Sequence, residues 1–92
     1  EIIKYAFNTW FSTKVVFNNE IFNYCQTTGA NYETVKTALA NHPWGMKGHQ
    51  EIQYKGKRGL HGSCLPKDTE AFASYTASPF FQMLMDRNLT YV

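Results

Sequence analysis

Long apolar runs are missing from this chain. No segment approaches the length needed to cross a bilayer, which leaves no basis for a membrane partner. Charge is scarce too: 17% of residues are charged and the formal net charge is +2, too slight an excess to argue for nucleic acid. Cysteine is limited to Cys25 and Cys64, whose spacing fits no metal-ligand pair. Adding His42, His49 and His61 completes no four-ligand set, so no metal centre is expected. A disulfide lacks support, because Cys25 sits in an apolar helical pattern and Cys64 among turn residues. Neither a G-x-G-x-x-G fingerprint nor a P-loop occurs, so a dinucleotide- or nucleotide-binding domain is absent from these residues. Internal repeats and low-complexity segments are absent as well. A cytoplasmic location is the expectation.

What is present suits one ordered domain. Ninety-two residues make one at most, and 43% hydrophobic content permits a modest core. Seven Phe, six Tyr and two Trp are many for this length. They either fill the core or form a face that meets another chain or domain. Lys47, Lys55, Lys57 and Arg58 cluster in one segment opposed only by Glu51. Such a segment suits phosphates, or is a solvated basic loop. The chain opens at Glu1 in helical periodicity without an initiator Met and stops at Val92 without a terminal signal. A piece of something longer is expected.

The periodicity predicts a first helix over residues 1 to about 27, from Ile2, Ile3, Ala6, Phe7, Trp10 and Phe11 through Val15, Phe17, Ile21, Phe22 and Cys25. Its apolar stripe is wide, so burial on more than one side is expected. Gly29 is its stop, since glycine takes positive φ without a Cβ clash. Lys4 and Asn8, four apart, share a face. They are either solvated or project together into a cleft. Asn18, Asn19 and Asn23 also lie inside the helix, where asparagine is a weak helix former. A second helix is predicted over 32 to 41, with Asn31 as N-cap and His42-Pro43 as its end.

Residues 43 to 63 read as a long loop, with a brief extended piece at Ile52 to Tyr54. A connection of that length in a small domain is usually functional or disordered. The aromatic residues favour function. A third helix is predicted from Thr69 to Tyr75 with Asp68 as N-cap. A fourth starts at Ser78-Pro79, buries Phe80, Phe81, Leu84 and Met85, and ends near Arg87-Asn88. Leu89 to Val92 reads as a strand.

The segment His61-Gly62-Ser63-Cys64-Leu65-Pro66-Lys67-Asp68-Thr69 gathers a thiol, an ammonium and a carboxylate. Cys64 precedes a helix start and neighbours Arg58, His61 and Lys67, a setting that favours a thiolate. A thiolate adds to an aldehyde or acyl carbon. The plain alternative is an inert cysteine in a turn. Asp68 reads as a cap with a depressed pKa, and as a group that orients a water. His61 is a base by its chemistry, or a loop histidine without a role.

Gly59-Leu-His-Gly-Ser-Cys-Leu-Pro-Lys-Asp-Thr69 resembles the nucleophile motif of the UDP-glucose/GDP-mannose dehydrogenase family. Glu1-Ile-Ile-Lys-Tyr-Ala-Phe-Asn8 and Lys14-Val-Val-Phe-Asn-Asn-Glu20 resemble that family's central long helix, and Gly29-Ala-Asn-Tyr-Glu-Thr-Val35 resembles the turn and helix that follow. Gly56-Lys-Arg-Gly59 resembles the approach to the cysteine in some members. The likeness covers nearly the whole chain. It implies an all-α central domain, one long helix packed with several short helices and a long functional loop (6-phosphogluconate dehydrogenase C-terminal-like). It implies a homodimer through the long helix, with NAD bound mainly by a domain outside these residues and a nucleotide-sugar substrate.

The implied activity is an oxidoreductase of polysaccharide biosynthesis. It would oxidise the sugar C6 alcohol to a carboxylate through a thiohemiacetal and thioester on Cys64. Lys4, Asn8 and Asp68 would be the other catalytic residues. Tyr54, Arg58, Gly59, His61 and Gly62 would meet the substrate, and Lys67 the cofactor side. Two departures stand out: His61-Gly62 where the family usually has Gly-Gly, and His42-Pro43-Trp44 where it has Asp-Pro-Arg. The isolated chain would be inactive. The alternative to the catalytic reading is a non-catalytic helical oligomerisation module. A different cysteine enzyme, such as a hydrolase, ranks third, because no His–Asp pair is positioned for it.

Overall fold

A computed structural model describes residues 1–92. Helix α1 spans Ile2–Thr28 and ends where expected: Gly29 turns left-handed at φ 80°, and its N–H donates to Cys25 O at 2.8 Å. Helix α2 (Tyr32–Asn41) is capped by the Asn31 side chain, which accepts from the N–H of Glu33 at 2.8 Å and of Thr34 at 3.4 Å. His42, held extended before Pro43, stops it. A two-residue hairpin follows, β1 (Gln53–Tyr54) antiparallel to β2 (Lys57–Arg58). Lys55 and Gly56 join the strands, both at positive φ (51° and 81°), as a type I′ turn requires. The second strand lies where sequence reading expected only loop.

Helix α3 (Cys64–Thr76) begins five residues earlier than predicted. Pro66 falls in its first turn, where a missing N–H costs no helical bond, so Cys64-Leu65-Pro66 continues into the helix. Asp68 therefore sits in the second turn and caps nothing. Helix α4 (Pro79–Leu89) places Pro79 in its first turn. Of its predicted buried face, Leu84 is buried, Phe81 and Met85 are half-buried, and Phe80 is exposed, its ring lying edge-on to Phe81. The strand expected over Leu89 to Val92 does not form. Thr90 and Tyr91 close a turn on Arg87 O and Asn88 O, which carries Tyr91 back onto α1.

The molecule is an all-α bundle in which α3 and α4 pack along one long helix. No helix is long and apolar enough to cross a membrane. The apolar core is small: Val16, Leu84 and Tyr91, with Phe81 against them. Polar side chains fill much of the remaining interior. Ser12 of α1 and Thr69 of α3, both fully buried, share a hydrogen bond of 2.6 Å. Asn18 and Asn19 each donate to the carbonyl four residues back, at 2.8 and 2.9 Å. Asn18 also donates to His49 O at 3.0 Å, which draws the 43–50 loop onto α1.

One backbone position ties the loop to α4. Gly59 is buried at φ 86°, and the Leu60 N–H beside it donates to Asn88 Oδ1 at 2.7 Å. A methyl group at Gly59 would collide with that same oxygen. Gly59→Ala is expected to cost about 2–3 kcal/mol in urea denaturation, from strain and a lost buried hydrogen bond. Gly48→Ala, at φ 79° but in open space, should cost roughly 1 kcal/mol from strain alone.

Candidate functional site

The seam between α1 and α3 holds the residues singled out for catalysis. Moving back along α1 from Ser12 to Tyr5 moves forward along α3 from Thr69 to Phe72 and Tyr75, and Asn8 on the same seam pairs with Asp68. The two helices are thus antiparallel. Asn8 Nδ2 donates to Asp68 Oδ2 at 2.7 Å, and Lys67 Nζ lies 3.5 Å from Asp68 Oδ1. The Asp68 side chain is only 4% exposed. The Asn8 hydrogen bond, with the charges of Lys67 and Lys4, outweighs the effect of burial and holds its carboxyl below the ordinary range. The expected depression is present, but its source is a side chain on another helix rather than free N–H groups at a cap.

Lys4 stands one turn before Asn8 on α1, and Cys64 one turn before Asp68 on α3. Lys4 is exposed, and its charge reaches Asp68. Cys64 is exposed, free and the first residue of α3, with Ser63 Oγ 3.9 Å from its sulfur. The structure therefore joins Asn8 directly to Asp68, brings Lys4 near, and leaves Cys64 at the solvent edge. The main surface grooves are lined by other residues.

The loop residues divide by direction. Arg58 turns inward: Nε donates to Asn19 Oδ1 at 3.0 Å and Nη2 to Asn23 Oδ1 at 2.8 Å. Its guanidinium lies between the rings of Phe22 and Tyr91, 5.0 and 5.2 Å from their centroids. That group is committed to the fold. Tyr54 and His61 turn outward and stack with centroids 4.2 Å apart. His61 needs no glycine-only backbone angle, since the left-handed positions are Gly59 and Gly62. Together with Lys57, Arg58, Leu60 and Val92, His61 and Gly62 line an open groove beside the hairpin.

Sequence reasoning missed two long-range polar groups. One is the Ser12–Thr69 pair, signalled only by small polar residues at helical spacing (Asn8, Thr9, Ser12, Thr13). The other is Glu20 with Arg87 and Tyr91. Arg87 Nη2 donates to Glu20 Oε2 at 2.7 Å, and the Tyr91 hydroxyl donates to the same oxygen. The Tyr91 bond, helped by Arg87, lowers the Glu20 pKa against its partial burial. No local pattern announces a contact between residues 71 apart in sequence.

The residues present do not make a cradle for NAD. A dinucleotide site needs a strand, a glycine turn and a helix N-terminus in succession beside a parallel sheet. The only sheet here is a two-stranded antiparallel hairpin. Lys67, expected on the cofactor side, faces Asp68.

Residues 1–88 match the family model described as the UDP-glucose/GDP-mannose dehydrogenase family, central domain. The UDP-glucose 6-dehydrogenase YwqF of Bacillus subtilis (strain 168) is 43% identical over 74 residues, covering 77% of this chain and 15% of that protein. The UDP-glucose 6-dehydrogenase of Rhizobium meliloti (strain 1021) is 38% identical, with 77% of this chain and 15% of that protein covered. The GDP-mannose 6-dehydrogenase of Azotobacter vinelandii is 36% identical over 101 residues, covering 100% of this chain and 22% of that protein. No solved structure matches at a significant level. The chain thus spans 15 to 22% of the length of these relatives.

The extent of this match corrects one expectation. The likeness is to the central, dimerisation domain alone and reaches no catalytic domain. The reading of these residues as a working part of a C6 oxidation through a thiohemiacetal and thioester is overturned, and the oligomerisation-module alternative is favoured.

The Asp68 geometry sets a pH dependence. A carboxyl whose pKa is lowered by folding adds stability above its unfolded value, and that stability fades as pH falls through the folded value. Asp68→Ala should therefore lower the urea midpoint at neutral pH, and the gap from the parent chain should close as pH drops below the ordinary carboxylate value of 3.8. Urea melts of both proteins between neutral and acid pH check this.

Proposed function

We propose, from the premise that this chain belongs to the UDP-glucose/GDP-mannose dehydrogenase family as its central (dimerisation) domain, that it works as a non-catalytic helical oligomerisation module. The family is one of larger NAD-dependent dehydrogenases, and this chain corresponds to a single domain of them. In this reading residues 1–92 form one central unit of a longer polypeptide, with α1 as the surface on which copies meet. A long helix with shorter helices along one side is the arrangement a 6-phosphogluconate dehydrogenase C-terminal-like fold calls for, and it leaves the other side of that helix open.

One observation carries the proposal: α1 buries Ser12, Asn18 and Asn19 beside Val15 and Val16 while leaving Phe7, Trp10, Phe17 and Tyr24 exposed. Ile3, Phe7, Trp10, Lys14, Phe17, Ile21 and Tyr24 follow alternating steps of four and three along the helix. That spacing keeps one seam facing a partner helix. Ile3 is 72% exposed, Phe7 58%, Trp10 55% and Tyr24 69%. A lone soluble protein seldom leaves so large an apolar strip uncovered. The same helix buries Ser12, Asn18 and Asn19, so its inner face was not available for those rings.

The residues marked out by sequence take positioning roles within such a module. Asn8 and Asp68 register α3 on α1, with Lys4 and Lys67 offsetting the carboxylate charge. Arg58 anchors the hairpin on α1, Gly59 seats the loop on α4, and Gly62 supplies the left-handed step before α3. Tyr54 and His61 brace each other at the loop tip, and Cys64 opens α3.

Sedimentation equilibrium of the 92-residue chain should show a dimer, and Phe7→Glu should yield a monomer whose helical circular dichroism is unchanged. A wild-type monomer at every concentration up to millimolar would overturn the proposal. Incubated with NAD and UDP-glucose or GDP-mannose, the chain should form no NADH; turnover that survives repurification would contradict the non-catalytic reading.

A further inference from the structure

The segment after α2 is fastened at both ends to α2 and at its middle to α1. At one end Gly45 N–H donates to His42 O and Met46 N–H to Leu39 O, both at 2.9 Å. At the other, Gln50 Nε2 donates to Lys36 O at 3.0 Å, and the Tyr32 hydroxyl donates to Gln50 O at 2.7 Å. Between these anchors, residues 47–49 lie on α1. Lys14 Nζ donates to Lys47 O at 2.7 Å, and Asn18 Nδ2 to His49 O at 3.0 Å. The His49 ring stacks on Phe11, centroids 4.7 Å apart. Gly48 and His49 both have positive φ, 79° and 61°. That region is costly for a residue with a Cβ, so His49 stays there only while its contacts hold.

Those contacts suit a neutral imidazole. His49 Nδ1 is buried and has no hydrogen-bond partner. A neutral ring can leave that nitrogen bare and carry its hydrogen on Nε2, whereas an imidazolium carries N–H on both. Protonation therefore buries a donor without an acceptor. Asn18 Oδ1 is also buried and unpaired, but it makes no bond to the ring. Stacking on Phe11 by itself favours a cation. That ring, however, already faces the Lys14 ammonium, 5.2 Å from its centroid. Lys14 is only 7% exposed, so its charge is weakly screened. The charges acting on His49 are Lys14 from α1 and His61 from the segment before α3; both are basic, and no carboxylate offsets them. Burial first, then Lys14, then His61 hold its pKa below the ordinary 6.5.

We propose that residues 47–49 form an acid-released strap, held on α1 while His49 is neutral and lifted from it when the ring takes a proton, with both α2 anchors left in place. The sign follows from linkage. The lifted ring binds a proton at ordinary strength and the docked ring binds it less strongly. Docking is therefore complete above pH 6.5 and weakens as pH falls below it. The docking constant drops by up to about tenfold per pH unit until the docked ring itself titrates. Lifting also releases Lys14 from Lys47 O. Lys14 lines the groove walled by Trp10, Phe17, Leu39, Trp44 and Met46. Acid thus places a free ammonium in an otherwise apolar groove, whatever that groove receives.

Nuclear magnetic resonance of the 92-residue chain, titrated from about pH 7.5 to about pH 5, tests this. The His49 ring should titrate with a midpoint below 6.5. Its nuclear Overhauser contact with Phe11 should fade over the same range, while the Asn18 side-chain amide moves toward its solvent-exposed shift. His49→Phe keeps a ring on Phe11 and cannot titrate, so its Asn18 amide should stay fixed throughout. Helical circular dichroism should be constant in both proteins. A ring contact that survives protonation of His49, a midpoint at or above 6.5, or an equal Asn18 shift in His49→Phe would each overturn the strap. Loss of helix in both proteins alike would place the acid effect elsewhere and overturn it as well.

Discussion

Burial of polar side chains on the inner face of α1 is the constraint on which the rest of the structure depends. A buried hydroxyl or amide is costly unless it is hydrogen-bonded. Thr69 answers Ser12, the helix's own carbonyls answer the amide N–H groups of Asn18 and Asn19, and Asp68 answers Asn8, while Thr9 Oγ1 and Asn18 Oδ1 stay unpaired. These bonds have direction, so they fix the rotation of α1 about its axis more strictly than apolar packing does. With that rotation fixed, the large rings at positions 7, 10, 17 and 24 have nowhere to go but outward. The polar interior and the apolar exterior are two consequences of one orientation, and the small core follows from both.

The elements legible in the sequence were those decided by their immediate neighbours. Gly29 ends α1 because only local backbone geometry matters there. Asn31 and Pro43 bound α2 for the same reason: a cap bond two residues ahead and a steric clash one residue back. The start of α3 was misplaced because Pro66 and Asp68 each carry two local meanings. Proline breaks a helix or opens one, and aspartate caps a helix or sits within it. What decides between them is Asn8, sixty residues away. Leu89 to Val92 failed for a similar reason. The β-branched and aromatic tail has strand propensity, but Glu20 captures the Tyr91 hydroxyl and a turn serves that contact better.

The candidate site shows the same division. The motif around Cys64 and the family likeness were within reach, because chemistry-bearing residue types announce themselves, whereas the pairing of Asn8 with Asp68 emerged only from the fold. Direction was no more legible. Arg58 looked available to a phosphate, yet two asparagines of α1 and two aromatic rings hold it inside. Asn19 and Asn23, read as weak helix formers, are its receptors. A cation in a glycine-rich loop faces solvent or the interior according to what the neighbouring helix offers, and that offer is made far away in sequence.

The tie between Glu20 and Tyr91 bears on the order in which the molecule is made. Synthesis delivers α1 first, but the partners of its inner face arrive over the following sixty residues, and the last of them is Tyr91. Until then the helix has few tertiary contacts to hold it, and tertiary packing supplies most of a helix's stability in a protein. Its inner residues wait without penalty, since water satisfies amides and hydroxyls. Its outer rings find no such substitute. The exposed apolar stripe of α1 thus leaves the ribosome well before the helix has all its supporting contacts. The wide separation between Glu20 and Tyr91 sets the length of that interval.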